Sequence, residues 1–153
     1  MLAALEEAGD EFEKAFRLSP NDSDALIFSV DYYVYRNLKQ EAVDVGSRAL
    51  RLNPHPPSSN YWVFGFALVA NGQYEQAVKV LRHETTYRSA SRRILAAALA
   101  LLGQEAEARK EGKLFMAASP HWRIGAWIQT QPFKNDADAH FWSSAYRLAG
   151  LPE

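Results

Sequence analysis

The sequence predicts an all-α protein made of stacked helix-turn-helix units, and three observations lead there. The first is a repeat: Ala8, Ala15 and Pro20 return as Ala42, Ala49 and Pro54, all three displaced by one common interval. The second is a later echo, in which Asn71-Gly72-Gln73-Tyr74-Glu75-Gln76-Ala77 is followed, after a slightly shorter interval, by Leu102-Gly103-Gln104-Glu105-Ala106-Glu107-Ala108. The two families interlock, because Ala77 stands one repeat length beyond Ala42. The third is that apolar residues inside each unit recur at spacings of three and four, with no alternating strand pattern. The spacing drifts in the turns while the helical pattern survives.

The elements follow in order. Residues 1 to 18 read as one helix, with Leu2, Leu5, Phe12 and Phe16 forming its apolar stripe. Asp24 to Tyr35 and Lys39 to Leu52 form the first complete unit. In its second helix Ala42, Val45, Ala49 and Leu52 make one face, and the small residues Ala42 and Ala49 let a neighbouring helix come close. Pro54 stops this helix, since it cannot donate the next hydrogen bond and pushes Asn53 away from helical angles. Ser59 to Ala70 and Tyr74 to Glu84 form the next unit, and Ser91 to Leu102 with Glu105 to Ala118 the last, closed by Pro120. Gly72 and Gly103 sit between paired helices, where a left-handed residue ends the first helix, and Asn37 holds the same place in the earlier unit. Ser58, Ser59, Ser89 and Ser91 lie near helix starts, where capping is expected. Beyond the repeats, Asn135 or Asp136 caps a closing helix with Ala137, Phe141, Ala145 and Leu148 on one face, and Gly150 ends it. The organisation is repeats over residues 1–120, then a short helix and a capping helix over 121–153, with seven or eight helices in all.

Composition excludes several function classes. Seventeen basic residues against eighteen acidic ones leave a net charge of −1, a poor footprint for a nucleic-acid partner. The longest uninterrupted apolar run, Ile94 to Leu102, is about half of what a membrane span needs. With no cysteine, thiol catalysis, thiolate metal sites and disulfides are excluded, and a cytoplasmic location is expected. His55, His83, His121 and His140 are dispersed, with none at zinc-ligand spacing. No nucleophile elbow or phosphate loop is present, so no catalytic residue, metal or cofactor is expected.

A unit of about 34 residues, with a glycine turn, small residues in the second helix and a closing proline, resembles the tetratricopeptide repeat (TPR). The resemblance covers residues 1 to about 120. It implies a right-handed helical solenoid of about three repeats, with Gly65 and Ala96 as the small residues of two first helices. Val30 departs from the pattern at the corresponding place, and Glu84 departs in the second helix of the next unit. The first helix resembles the second half of a repeat, so a fragment or a truncated relative is expected at that end. The tail, Pro132-Phe133-Lys134-Asn135-Asp136 and then Arg147 to Glu153, resembles the C-terminus of bacterial repeat regions that follow class III adenylate/guanylate cyclase domains or winged-helix regulators, and implies a natural C-terminus there.

What the resemblance implies is a non-catalytic interaction module whose concave groove, lined by the first helices, takes a protein or peptide segment. Asp31, Tyr35, Trp62, Phe66 and Val69 are the groove residues expected to contact it, with Arg92 and Arg93 orienting an acidic residue of the ligand. Chaperone-binding repeats hold a peptide carboxylate with asparagines and lysines, whereas the equivalent surface here shows Asp31, Trp62, Phe66 and Ala97. A competing expectation is that the chain's own last helix, with Phe141 and Trp142, fills the groove. Arg82, His83, Arg88, Arg92 and Arg93 form a basic stretch that reads as an anion site or as a solvated edge. The alternatives in function are the regulatory region of a cyclase-type signalling protein, or a self-associating scaffold that forms homo-oligomers through residues 1 to 20.

Overall fold

A computed structural model describes residues 2–83 and 89–153, and among them lie nine α-helices and no strand. In chain order these are α1 (Leu2–Leu18), α2 (Ser23–Tyr35), α3 (Lys39–Leu52), α4 (Ser58–Ala70), α5 (Tyr74–Leu81), α6 (Ser89–Leu101), α7 (Glu105–Ala118), α8 (Ile124–Gln129) and α9 (Asp136–Leu148). The count exceeds the expected seven or eight by one, and α8 is the short helix expected within residues 121–153. The expectations for Glu84, for Arg88 and for most of the link from Thr85 to Ala90 fall on residues outside those described. Helix α5 ends at Leu81, short of the expected Glu84.

Identical turn chemistry joins the paired helices. Asn37, Gly72 and Gly103 have φ of 62°, 77° and 76°, as their positions in the repeat require. In each turn the following residue donates back across the helix end, Leu38 N to Tyr33 O, Gln73 N to Leu68 O and Gln104 N to Leu99 O, all at 2.9 Å. This is the Schellman closure, which satisfies the last free carbonyls of the first helix. Gly150, at φ 78°, closes α9 in the same way through Leu151 N to Tyr146 O at 3.0 Å. At the other ends, Asp22 caps α2 by accepting from Asp24 N and Ala25 N, and Asn135 caps α9 by accepting from Asp138 N. Two of the serines correct the capping expectation. Ser58 follows Pro57, whose side chain cannot cap, and Ser91 is buried inside α6.

The first helices α2, α4 and α6 stand side by side and the second helices α3, α5 and α7 pack behind them. Burial runs unbroken along Phe64 to Ala70 and along Ile94 to Ala100, so the middle helices are covered on every side. Small residues permit this, and they come in compensating pairs. Gly65 backs onto Leu81, and a Cβ at Gly65 would sit 2.6 Å from Leu81 Cγ. One unit earlier the sizes are exchanged. Val30 stands at the place of Gly65, and Gly46, one repeat length before Leu81, lies beneath it. A Cβ at Gly46 would meet Val30 Cγ2 at 3.3 Å and Phe64 Cδ2 at 2.6 Å. Val30 is therefore a volume exchange and leaves the repeat packing intact.

At the start of the array, α1 turns Leu5, Phe12 and Phe16 inward, and its Gly9 lets the Tyr32 ring approach the backbone. Phe12 meets Phe16 and Tyr32 at ring separations of 6.4 and 6.0 Å, and Glu6 pairs with Arg36. The outward row is Ala4, Glu7, Glu11 and Lys14, ending at Leu18, which is 85% exposed. The outward side of α1 is thus mostly polar, while its aromatic side packs on α2.

At the far end, α9 is rotated from its expected orientation. Its buried residues are Asp138, Trp142, Ala145 and Tyr146, whereas Ala137 is exposed and Leu148 is 57% exposed. Two apolar stripes compete on this helix, and the one carrying the larger rings, Trp142 and Tyr146, is the buried one.

Candidate functional site

The segment from α8 to α9 lies across the face formed by α2, α4 and α6. Lys134 N donates to Tyr35 O at 2.9 Å, and the Tyr35 hydroxyl donates to Gln131 Oε1 at 2.6 Å. Phe133 packs edge-on against Tyr35 at 5.2 Å, and Trp142 stacks on Phe66 at 4.6 Å. Lys39 Nζ pairs with the buried Asp138 at 2.6 Å, fixing the start of α9 against the start of α3. One expected groove residue is corrected, since Val69 is fully buried in the core. Phe66 is only 3% exposed because Trp142 of α9 stacks on it.

Closure is incomplete. Tyr35, Trp62, Phe66, Arg93, Trp127 and Gln131 line a cavity of about 160 Å³ between the repeats and the C-terminal segment. Hollows of larger volume, at Ser19 to Asp22, along α7 and between Pro54, Tyr61 and His83, are more open to solvent. Among the described residues, Arg93 is the charged group of the cavity lining. Its guanidinium carbon lies 4.7 Å from the centre of the Trp127 ring, 5.4 Å from Trp122, 5.6 Å from Tyr146 and 5.9 Å from Phe115. Ring faces stabilise the cation in place of water. Burial pushes the Tyr146 hydroxyl up to about 12, with the nearby Arg93 charge opposing the shift. Burial also raises Tyr35 far above the usual phenol range, reinforced by the Asp31 charge.

Seven buried side-chain polar atoms among the described residues lack a hydrogen-bond partner in the protein. Asp31 Oδ1 on α2, Trp62 Nε1 on α4 and Arg93 Nε on α6 lie one on each successive first helix, and the others are Gln73 Oε1, Trp122 Nε1, Asp138 Oδ2 and the Tyr146 hydroxyl. Unpaired buried atoms are uncommon and each one calls for a reason. Phe28, three residues before Asp31, is 68% exposed and continues the same side of α2 toward solvent. Of the other expected residues, Arg92 is half-buried and is not among those lining the cavity. The basic stretch does not converge either, because Arg82 pairs with Glu107 and His83 stacks on Tyr61 at 4.4 Å. Trp122, Trp127, Gln131 and Tyr146 were not singled out from the sequence. The density of aromatic residues beyond Pro120 was the available signal, since a solvated tail would not carry so many.

Asp31 supplies a pH test. Burial raises its carboxyl from 3.8 to about 6, so between those values the folded protein holds a proton that the unfolded chain releases. Stability is therefore full below pH 4 and falls as pH rises through about 6. The residue keeps some exposure, so the loss at pH 7 is set at about 1–2 kcal/mol. Asp31→Asn is expected to stabilise the protein by that amount at pH 7 and to make no difference near pH 4. Urea denaturation at both pH values checks this, and a gain of equal size at both would sink it.

The fold and this face together define an all-helical TPR-type solenoid, partly covered along its inner face by its own C-terminal segment. No family model matches the sequence, and no curated protein matches it either. Solved structures do match the fold. The crystal structure of MamA superposes with a TM-score of 0.64 at 15% identity, over 90% of this chain and 82% of that one. YrrB, a TPR protein with an unusual peptide-binding site, superposes with a TM-score of 0.64 at 21% identity, over 97% of this chain and 82% of its own.

Proposed function

We propose that the chain is a non-catalytic interaction module that binds an extended peptide segment along the uncovered part of its first-helix face. The observation that carries this reading is the row of unpaired buried polar atoms, Asp31 Oδ1, Trp62 Nε1 and Arg93 Nε, one from each successive first helix. A packed core gains nothing from leaving such atoms unmatched, whereas a ligand's backbone or side chains would satisfy them. Phe28 and Trp62 add the aromatic area that dominates interface energetics. The peptide-binding neighbour YrrB supports an interaction role for the same fold. The neighbours share the repeat and add nothing to the cyclase-type resemblance of the tail, so the reading stops at the interaction module.

Selection from a displayed random-peptide library, followed by affinity measurement on the parent chain and on Trp62→Ala, tests the reading. Selected peptides are expected to lose at least about tenfold in affinity for Trp62→Ala, roughly 1.4 kcal/mol, while its melting stays cooperative. Recovery of no peptide, or peptides indifferent to Trp62→Ala and Asp31→Ala, would rule out this face as the binding surface.

A further inference from the structure

The geometry points to the cavity beside Arg93 as a receptor for one acidic side chain, an aspartate or glutamate within the bound segment. This rests on the reading above of the first-helix face as a peptide surface, and it assigns the chemistry of a single subsite.

The polar groups around the cavity are unbalanced. Tyr35 spends its proton on Gln131 Oε1, and the Gln131 amide nitrogen donates to Trp127 O at 3.1 Å and Thr130 Oγ1 at 2.7 Å. The Gln131 amide is thereby engaged, the oxygens left as acceptors in the lining are neutral, and the unpartnered atoms there, Trp62 Nε1 and Arg93 Nε, are both donors. Arg93 carries a full positive charge, yet among the described residues it faces four aromatic rings and forms no salt bridge with a carboxylate. Asp31 forms no ion pair with it among the described residues. A cation with unpartnered donors, beside neutral oxygens alone in the lining, is complementary to an anion that only accepts. A planar carboxylate matches the edge of a guanidinium held flat by rings. The walls, Trp62, Phe66, Trp127 and Tyr35, suit the short methylene stem of such a side chain. About 160 Å³ holds that stem and its carboxylate, but not a chain-terminal residue with its backbone and side chain together. Two of the walls, Trp127 and Gln131, lie outside the repeats, so the subsite exists only with the C-terminal segment seated.

The test uses the whole chain labelled with nitrogen-15, reading the indole N–H resonances during titration. N-acetyl-L-glutamate α-amide is the probe, compared with its isosteric glutamine analogue and with N-acetylglycine as a terminal-carboxylate mimic. Trp62→Phe and Trp127→Phe assign the two resonances. The expected result is saturable movement of Trp62 and Trp127 with the glutamate probe, at least about fivefold weaker binding of the glutamine analogue, and loss of the response in Arg93→Met. The glutamate-to-glutamine comparison in the parent chain stands even where Arg93→Met fails to fold. Equal response to both amides, equal or stronger response to N-acetylglycine, or no movement at tens of millimolar would overturn the assignment. Peptides that depend on Trp62 but leave the probes without effect would reject the acidic subsite alone. Failure to recover any peptide would reject the surface itself.

Discussion

Trp142→Ala is expected to lower the unfolding free energy by about 3–5 kcal/mol, a large part of the stability of a domain this size. The indole is 1% exposed, stacks on Phe66 at 4.6 Å, and meets Phe141, Tyr146 and Trp127 at 5.5, 5.5 and 6.3 Å. Removing it leaves a cavity that rings anchored on three separate helices cannot close without moving. The effect extends past stability, because the same indole seats the segment that brings Trp127 and Gln131 to the Arg93 cavity. Urea denaturation gives the free energy, and red-shifted emission from Trp122 and Trp127 reports loosening of the segment. A loss below about 1 kcal/mol, with unchanged emission, would mean that α9 does not rest on this face.

The second large effect is a coupled one, at Gly65 and Leu81. Gly65→Val alone is expected to cost about 2–3 kcal/mol, since its side chain would overlap the fully buried Leu81. Leu81→Ala alone is expected to cost about 2–5 kcal/mol through the void it leaves. The double variant places a large residue on the first helix and a small one on the second, the arrangement already present at Val30 and Gly46. Its loss should fall short of the sum of the single losses by about 1–3 kcal/mol. A double-mutant cycle in urea measures that difference. Strict additivity would show that the two positions do not share volume.

Much of the backbone is legible from the sequence because its determinants are local. The repeat spacing places the helices, and Pro54 and Pro120 stop two of them. The left-handed turns at Asn37, Gly72 and Gly103 are readable from residue type alone, since few residues tolerate positive φ. Asn135 as the cap of α9 and Gly150 as its end follow from the same kind of reasoning. Groove residues were harder. Tyr35, Trp62, Phe66 and Arg93 do meet at one cavity, with Phe66 almost wholly buried there, but Val69 belongs to the core, and part of the cavity wall comes from the tail.

What only the tertiary structure decided is which surface covers which. A 3.6-residue period shows that a helix has an apolar side, but α9 has two such stripes, through Phe141 and through Trp142. The choice between them depends on the shape of the face it meets, where Phe66 offers a flat ring for Trp142. Val30 looks like a broken rule until Gly46 is found beneath it, a partner on the next helix that no single-position pattern connects. Arg93 reads as part of a basic run, yet its neighbours in space are rings from α7, α8, α9 and the turn after α7. Local propensity acts within a turn or two of chain, whereas packing energy is a property of surfaces brought together from far apart in sequence, and it is packing that seats the tail and shapes the cavity.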